Sequence, residues 1–205
     1  PNLAQPVQVG EDVVVASLDG RVYRMALRNG RVRWETEPLS RGGIHAAPTL
    51  DGDRVFLTTD DDRLIALDVS TGTRVWDRER PRSDVWSDTR VITGQAGATM
   101  VDDRVLTGFS DGRVAAYSAR DGASLWIRDL SGGQTEFTDI TSTPRITIDG
   151  LAILASFKQG LFGLDAKTGS NRWQVKGEGF GTPATYDGTL YVPTASGKVL
   201  AVRAS

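Results

Sequence analysis

The stretch TTDDDRLIALDVSTGTRVW, from Thr58 to Trp76, contains most of the information that decides the fold. It begins with an acidic turn, continues as an apolar run, passes a second turn at Thr71-Gly72 and ends on a tryptophan. Stretches of the same length and layout recur at 16–34, 108–126 and 155–173, and a shorter one covers 193–205. Several short strands per unit, repeated about every 40–50 residues, are typical of the blades of a β-propeller.

Each unit predicts four antiparallel strands separated by turns. Asp-Gly pairs such as Asp187-Gly188 stand between apolar runs and indicate tight hairpins, because glycine accepts a positive φ without a Cβ clash. No window of the sequence has a convincing 3.6-residue period, so no long helix is expected. We therefore predict an all-β protein of four-stranded blades in a single propeller domain over 1–205, with units at 5–37, 45–80, 95–130, 142–176 and 181–205.

The fifth unit reaches Ser205 after its third predicted strand. Propellers usually close by pairing strands from both termini within one blade, which removes exposed edges. We therefore expect an open arc of five units or part of a larger ring. The alternative is a closed five-bladed ring whose last blade has only three strands.

The recurring tryptophans predict contacts between neighbouring blades. An indole ring on the outer strand of a blade can bury about 150–250 Å² against the next one. We assign this blade-locking role to Trp34, Trp76, Trp126 and Trp173.

Composition and isolated residues argue against several classes of function. The net charge of −2 disfavours nucleic acid as a partner, and the absence of cysteine excludes disulfides and thiolate metal sites within these residues. His45 is the only histidine, and we interpret it as a residue of the connection before Ala47-Pro48. The run Asp60–Asp62 lacks the spacing of a calcium loop and fits a solvated turn. We predict no catalytic residue, no metal ligand and no cofactor.

Two connections are longer than the others and are the candidate functional segments, because rigid scaffolds display binding residues on loops. In 77–94, Arg78, Arg80 and Arg82 are either solvated or contact a partner, and we assign Arg80 and Arg82 to partner binding. In 127–142, the residues Glu136, Phe137 and Asp139 form a protein-docking tip, or Phe137 folds back onto its blade.

The repeat and one linker resemble known families. The segments DRLIALDVSTGTRVW and QGLFGLDAKTGSNRW resemble the pyrroloquinoline-quinone-like (PQQ-like) repeat of quinoprotein dehydrogenases and non-enzymatic propellers. The segment GGQTEFTDITSTP, from Gly132 to Pro144, resembles the linker of the BamB family of outer-membrane β-barrel assembly lipoproteins. Thr135, Glu136 and the Thr143-Pro144 end match that linker, whereas the arginine that the family usually carries there is missing.

The resemblance to the BamB family implies an eight-bladed, non-catalytic scaffold in the periplasm. Such a protein docks onto the periplasmic domains of BamA, and a lipid anchor outside these residues attaches it to the inner face of the outer membrane. Thr135 joins Glu136, Phe137 and Asp139 as an expected docking residue. The alternative functions are a ligand-binding or sensor propeller domain and a relative of the quinoprotein dehydrogenases.

Overall fold

A computed structural model of the chain describes residues 4–80, 96–134 and 136–203. Within these residues all strands lie in antiparallel sheets, and no helix is present. It follows that the described part contains no helix long and apolar enough to cross a membrane. The chain divides into two compact units, one running to Arg80 and including Ala119–Gly122, the other made of the remaining described residues.

The first unit contains two four-stranded antiparallel sheets, with strand orders β1-β2-β3-β4 and β5-β6-β7-β8. Neighbours along the chain pair through tight turns, as the Asp-Gly and Asn-Gly signals predicted. The strands of the first sheet are β1 (Val7–Val9), β2 (Asp12–Ala16), β3 (Val22–Ala26) and β4 (Val32–Glu35). Those of the second are β5 (Thr49–Asp51), β6 (Arg54–Thr59), β7 (Arg63–Asp68) and β8 (Arg74–Glu79).

The core of the first unit lies between its two sheets. Val14 and Val22 of the first sheet share one buried cluster with Val55, Ile65 and Leu67 of the second. All four residues of the run Leu64–Leu67 are fully buried, so both faces of β7 are covered. Apolar side chains on consecutive positions fit a strand that is packed on both faces.

The second unit contains three further sheets, with orders β12-β11-β10-β9, β13-β14-β15-β16 and β17-β18-β19. The described residues of the last sheet form three strands. The strands are β9 (Thr99–Val101), β10 (Arg104–Gly108), β11 (Arg113–Ser118), β12 (Ser124–Asp129), β13 (Arg145–Ile146), β14 (Leu151–Ser156), β15 (Gly160–Asp165), β16 (Asn171–Val175), β17 (Ala184–Tyr186), β18 (Thr189–Pro193) and β19 (Val199–Arg203).

The second unit has a buried cluster on each side of its middle sheet. Leu106 and Val114 pack with Leu154 and Leu164 in one cluster. Ile153, on the other face of β14, packs with residues of the last sheet such as Leu190 and Val192. The middle sheet is therefore stacked between two others. The predicted all-β class, built from propeller blades of four antiparallel strands, is confirmed.

Candidate interaction surface

The connection between β12 and β13 is attached to the β10–β11 hairpin at both of its ends. Leu130 donates its backbone N–H to the carbonyl of Gly112 at 3.0 Å, and Ile140 donates to the carbonyl of Phe109 at 3.2 Å. Thr138 is almost completely buried, whereas Glu136 is exposed. The middle of the connection therefore reaches solvent while its ends are held by the sheet.

The same connection is also bound to the β14–β15 hairpin. Phe157 donates its backbone N–H to the carbonyl of Asp139 at 3.0 Å, and the Ser156 hydroxyl donates to the carbonyl of Thr138 at 3.3 Å. The Gln159 side-chain amide donates to the carbonyl of Ser131 at 3.0 Å. Support from two hairpins reduces the entropy that this segment would lose on binding a partner.

Phe137 has an unusual backbone conformation and lies against the second hairpin. Its φ is +56°, a left-handed value that costs an L-residue about 1–2 kcal/mol. The ring centroid lies 6.3 Å from that of Phe157, and the Lys158 ammonium lies 5.1 Å from the centroid, within cation–π range. The ring thus folds back onto its blade, the second of the two arrangements considered from the sequence, and it stays only partly buried.

We define the linker surface as Glu136, Phe137, Phe157 and Lys158. It combines two partly buried aromatic rings with one anionic and one cationic side chain. Phe157 and Lys158 were not among the docking residues expected from the sequence. A signal was present, because other blades carry Asp-Gly, Asp-Asp or Ser-Gly at this turn, whereas this one has a lysine preceded by a phenylalanine.

Asp139 does not fit its expected place at a docking tip. Its side chain is buried at 4% exposure, and its backbone carbonyl accepts the N–H of Phe157. Asp139 therefore lies beneath the linker surface in this structure, and its contact with a partner stays a prediction.

Of the other predicted docking residues, Arg80 alone lies within 4–80, 96–134 and 136–203. Arg80 lies in the first unit, where its guanidinium is 3.4 Å from the Asp62 carboxylate and its backbone N–H donates to the carbonyl of Asp62. Thr135 and Arg82 lie outside the described residues. For all three residues, partner binding stays a prediction.

Three of the unit-ending tryptophans share one arrangement. Their indole N–H groups donate to a carbonyl about one repeat later in the chain, at 3.0–3.1 Å. A Cβ at Gly72 would lie 2.6 Å from the Trp34 ring, and one at Gly169 would lie 2.6 Å from the Trp126 ring. These turns therefore require glycine for two reasons: a side chain would clash with the indole ring, and the backbone φ is positive. The donor and acceptor pairs are Trp34 with Val69, Trp76 with Ala119 and Trp126 with Ala166.

The Trp173 ring covers Gly163 of its own sheet and packs in a cluster that includes Leu190 and Val192. The blade-locking role assigned to all four tryptophans stays a prediction.

Arg78 and Arg128 each stand two residues after a tryptophan and bind the same kind of turn. The Arg128 Nε donates to the carbonyl of Gly169 at 2.9 Å, and its Nη2 donates to the carbonyl of Thr168 at 2.9 Å. Arg78 repeats both contacts, with Gly122 and Asp121 as acceptors. Arg78 therefore has an internal structural contact that the sequence did not indicate, and partner contact by Arg78 stays a prediction.

The acidic side chains Asp60 and Asp61 of the β6–β7 turn make contacts within the first unit. His45 Nε2 lies 2.9 Å from Asp60 Oδ2, and burial raises the pKa of Asp60 despite the opposing effect of His45. The Thr59 hydroxyl donates to Asp61 at 2.6 Å. Within 4–80, 96–134 and 136–203, no three His, Asp or Glu side chains come together as a group that could hold a metal ion.

This chain is similar to known outer-membrane assembly factors in sequence and in structure. A family model described as the outer membrane protein assembly factor BamB matches residues 2–205. BamB of Moranella endobia is 25% identical over 201 residues, which cover 96% of this chain and 50% of that protein. The crystal structure of BamB from Moraxella catarrhalis superposes with a TM-score of 0.82 at 24% identity, covering 99% of this chain and 61% of that one.

Quinoprotein enzymes are also similar to this chain. The quinohemoprotein alcohol dehydrogenase of Comamonas testosteroni is 26% identical over 149 residues, which cover 69% of this chain and 21% of the enzyme. This likeness reflects the shared PQQ-like repeat. The chain spans about half the length of the curated assembly factors that it matches. With the family model matched over nearly every residue, this β-propeller chain belongs to the family of the outer membrane protein assembly factor BamB.

Proposed function

We propose that this chain is part of a non-catalytic scaffold that docks onto the periplasmic domains of BamA and assists insertion of outer-membrane proteins. Family membership supports the general role in outer-membrane protein assembly. The observation that carries the docking step is the linker surface, where Glu136 and Phe137 are presented beside Phe157 and Lys158.

The composition of the linker surface suits a protein partner. Aromatic side chains dominate the energy of protein interfaces, and charged groups at the rim guide partners into register. Phe137 and Phe157 form the apolar centre of the surface, while Glu136 and Lys158 supply one charge of each sign. Because hairpins on both sides hold the backbone, binding needs little further ordering.

The proposed site of action is the periplasm, at the inner face of the outer membrane. Attachment would come from a lipid anchor outside the residues of this chain. Fractionation of cells that express the tagged full-length protein tests this point, and we expect release from the membrane by detergent but not by high salt.

Capture of BamA by the tagged full-length protein tests the docking proposal. We expect Phe137→Ser and Lys158→Glu to lower the affinity for BamA at least about tenfold, the size typical of interface hot spots. Leu125→Ser is the matched control, because Leu125 is an exposed apolar residue of β12 that does not belong to the linker surface. Circular dichroism checks that every variant is folded.

Two outcomes would contradict the proposal at different levels. Failure of the folded wild-type protein to capture BamA under gentle extraction would remove the scaffold function. Capture by both variants at wild-type affinity would leave the scaffold function in place but exclude the linker surface as the docking site.

The second candidate is a relative of the quinoprotein dehydrogenases, favoured by the match to the Comamonas testosteroni enzyme. It predicts that the full-length protein binds pyrroloquinoline quinone and then oxidises alcohols. Saturable quinone binding followed by turnover would overturn the non-catalytic proposal.

A further inference from the structure

The β13–β14 hairpin differs from the equivalent hairpins of the other described blades. In those, two residues join the first and second strands, as at Gly10-Glu11 and Asp187-Gly188. Here β13 ends at Ile146 and β14 begins at Leu151, so the turn 147–150 is two residues longer. Departures from a repeat are where scaffolds of this kind place binding residues.

The longer turn is ordered and presents an apolar side chain to solvent. Thr147 donates its backbone N–H to the carbonyl of Leu151 at 2.9 Å, and Gly150 donates to the carbonyl of Thr147 at 3.0 Å. The Leu151 N–H in turn donates to the Thr147 hydroxyl at 3.1 Å. Ile148 is 99% exposed at the tip of this closed turn.

A cleft of about 310 Å³ separates this turn from the β17–β18 hairpin. Leu190 is fully buried and contributes to its floor, and Ile146 lines the side of the longer turn. Tyr186, which is 76% exposed, stands on the opposite rim from Ile148. This volume is at the small end of ligand pockets and suits one large side chain with its neighbours.

The charged residues that line the cleft are acidic. Asp149 and Asp187 follow Ile148 and Tyr186 directly in sequence, and both are exposed. No lysine or arginine is among the described lining residues. An apolar floor between two carboxylates is complementary to an apolar side chain with cationic neighbours.

We propose that this cleft binds a segment of a partner protein in which a large apolar residue is flanked by lysine or arginine. The apolar side chain would enter between Ile148 and Tyr186, and the cations would face Asp149 and Asp187. The cleft lies at the Leu151 end of β14, whereas the linker surface adjoins the Ser156 end. It is therefore a second interaction site, and its test does not depend on BamA.

Three capped peptides provide the probes: Lys-Phe-Lys, Glu-Phe-Glu and Lys-Gly-Lys. Titration into the ¹⁵N-labelled chain, followed by NMR, locates and measures binding. We expect Lys-Phe-Lys to shift the amide signals of 146–149 and 185–188. The other two peptides should bind at least about fivefold more weakly, because Glu-Phe-Glu lacks the cations and Lys-Gly-Lys lacks the apolar side chain.

Variants assign the effect to named side chains. Ile148→Ser and Tyr186→Ser should each weaken Lys-Phe-Lys binding about fivefold or more. The double change Asp149→Asn with Asp187→Asn should remove most of the preference for Lys-Phe-Lys over Glu-Phe-Glu. Leu125→Ser, exposed elsewhere in the second unit, is the control and should bind as the wild type does. All these substitutions replace exposed side chains, and the amide spectrum reports whether the fold is kept.

Absence of localised shifts, equal binding of the acidic peptide, or unchanged binding by both serine variants would each overturn the proposal. Sedimentation that shows a dimer dependent on Ile148 would also overturn it, because the occupant would then be a second copy of this chain.

Discussion

Removing the Trp126 ring should destabilise the second unit strongly. The side chain is 7% exposed and packs in the cluster that includes Leu154 and Leu164. Its indole N–H donates to the carbonyl of Ala166 at 3.1 Å. Replacing a buried tryptophan by alanine costs about 3–5 kcal/mol, because packing is lost and a cavity remains. We therefore expect Trp126→Ala to lower the free energy of unfolding by about 3–5 kcal/mol.

A second variant separates packing from hydrogen bonding. Trp126→Phe keeps much of the buried apolar area but leaves the carbonyl of Ala166 without this donor. An unpaired buried polar group costs about 1–3 kcal/mol, and we expect a loss of that size. Leu125→Ala, at the half-exposed neighbouring position, is the control and should change stability by no more than about 0.5 kcal/mol.

Urea unfolding followed by far-ultraviolet circular dichroism measures all three variants. With a slope of about 2–3 kcal/mol per molar urea, Trp126→Ala should lower the midpoint by about 1–2.5 M. A loss below about 1 kcal/mol for Trp126→Ala would refute the blade-locking role of this residue. A loss for Trp126→Phe as large as that for alanine would refute the division between packing and hydrogen bonding.

Three further predictions concern turn carboxylates, a turn glycine and the linker residue Phe137. The pKa of Asp165 is lowered to about 2, chiefly by the Arg172 side chain, and that of Asp68 is lowered to about 2, chiefly by the Ser70 hydroxyl. Since both carboxyls have a lower pKa in the folded state, their stabilisation is present above about pH 4 and is lost as the pH falls towards 2. The urea midpoint should show this loss, and Asp165→Asn should reduce it; an identical pH profile for that variant would contradict the assignment. Gly169→Ala should destabilise the chain more than Gly188→Ala in thermal unfolding. Both glycines have a positive φ, but only at Gly169 would the new Cβ meet a ring; equal shifts would contradict this. Phe137→Gly should relieve about 1 kcal/mol or more of backbone strain yet weaken BamA capture, and a variant that captures BamA as the wild type does would exclude Phe137 as an anchor.

Local chemistry made most of the strand pattern predictable. Asp-Gly at 187–188 predicted a tight turn, and the structure has positive φ at both residues. The tryptophan at the end of a unit predicted an outer strand, and Trp76 lies in β8 of a four-stranded sheet. These features depend on hydrogen bonding and side-chain volume within a few residues, which is why a single sequence reports them.

Contacts between distant segments were not predictable in the same way. Asp139 and Glu136 are both acids on one short linker, yet one is buried and the other exposed. Phe157 joined the linker surface because a different hairpin folds beside Phe137. Whether Arg78 is solvated, binds a partner or binds a turn depends on carbonyls more than 40 residues away.

The sequence by itself determined the all-β class, the repeating four-stranded unit, the turn positions and the family resemblance. Each of these is encoded in periodicity, in glycine placement or in a short motif. Only the tertiary structure decided which linker residues reach solvent, what Arg78 binds and where an apolar cleft opens beside Ile148. Exposure and charge pairing depend on which distant segments the folded chain brings together. The same local sequence is compatible with a buried or an exposed side chain, and with a solvated or a bound one.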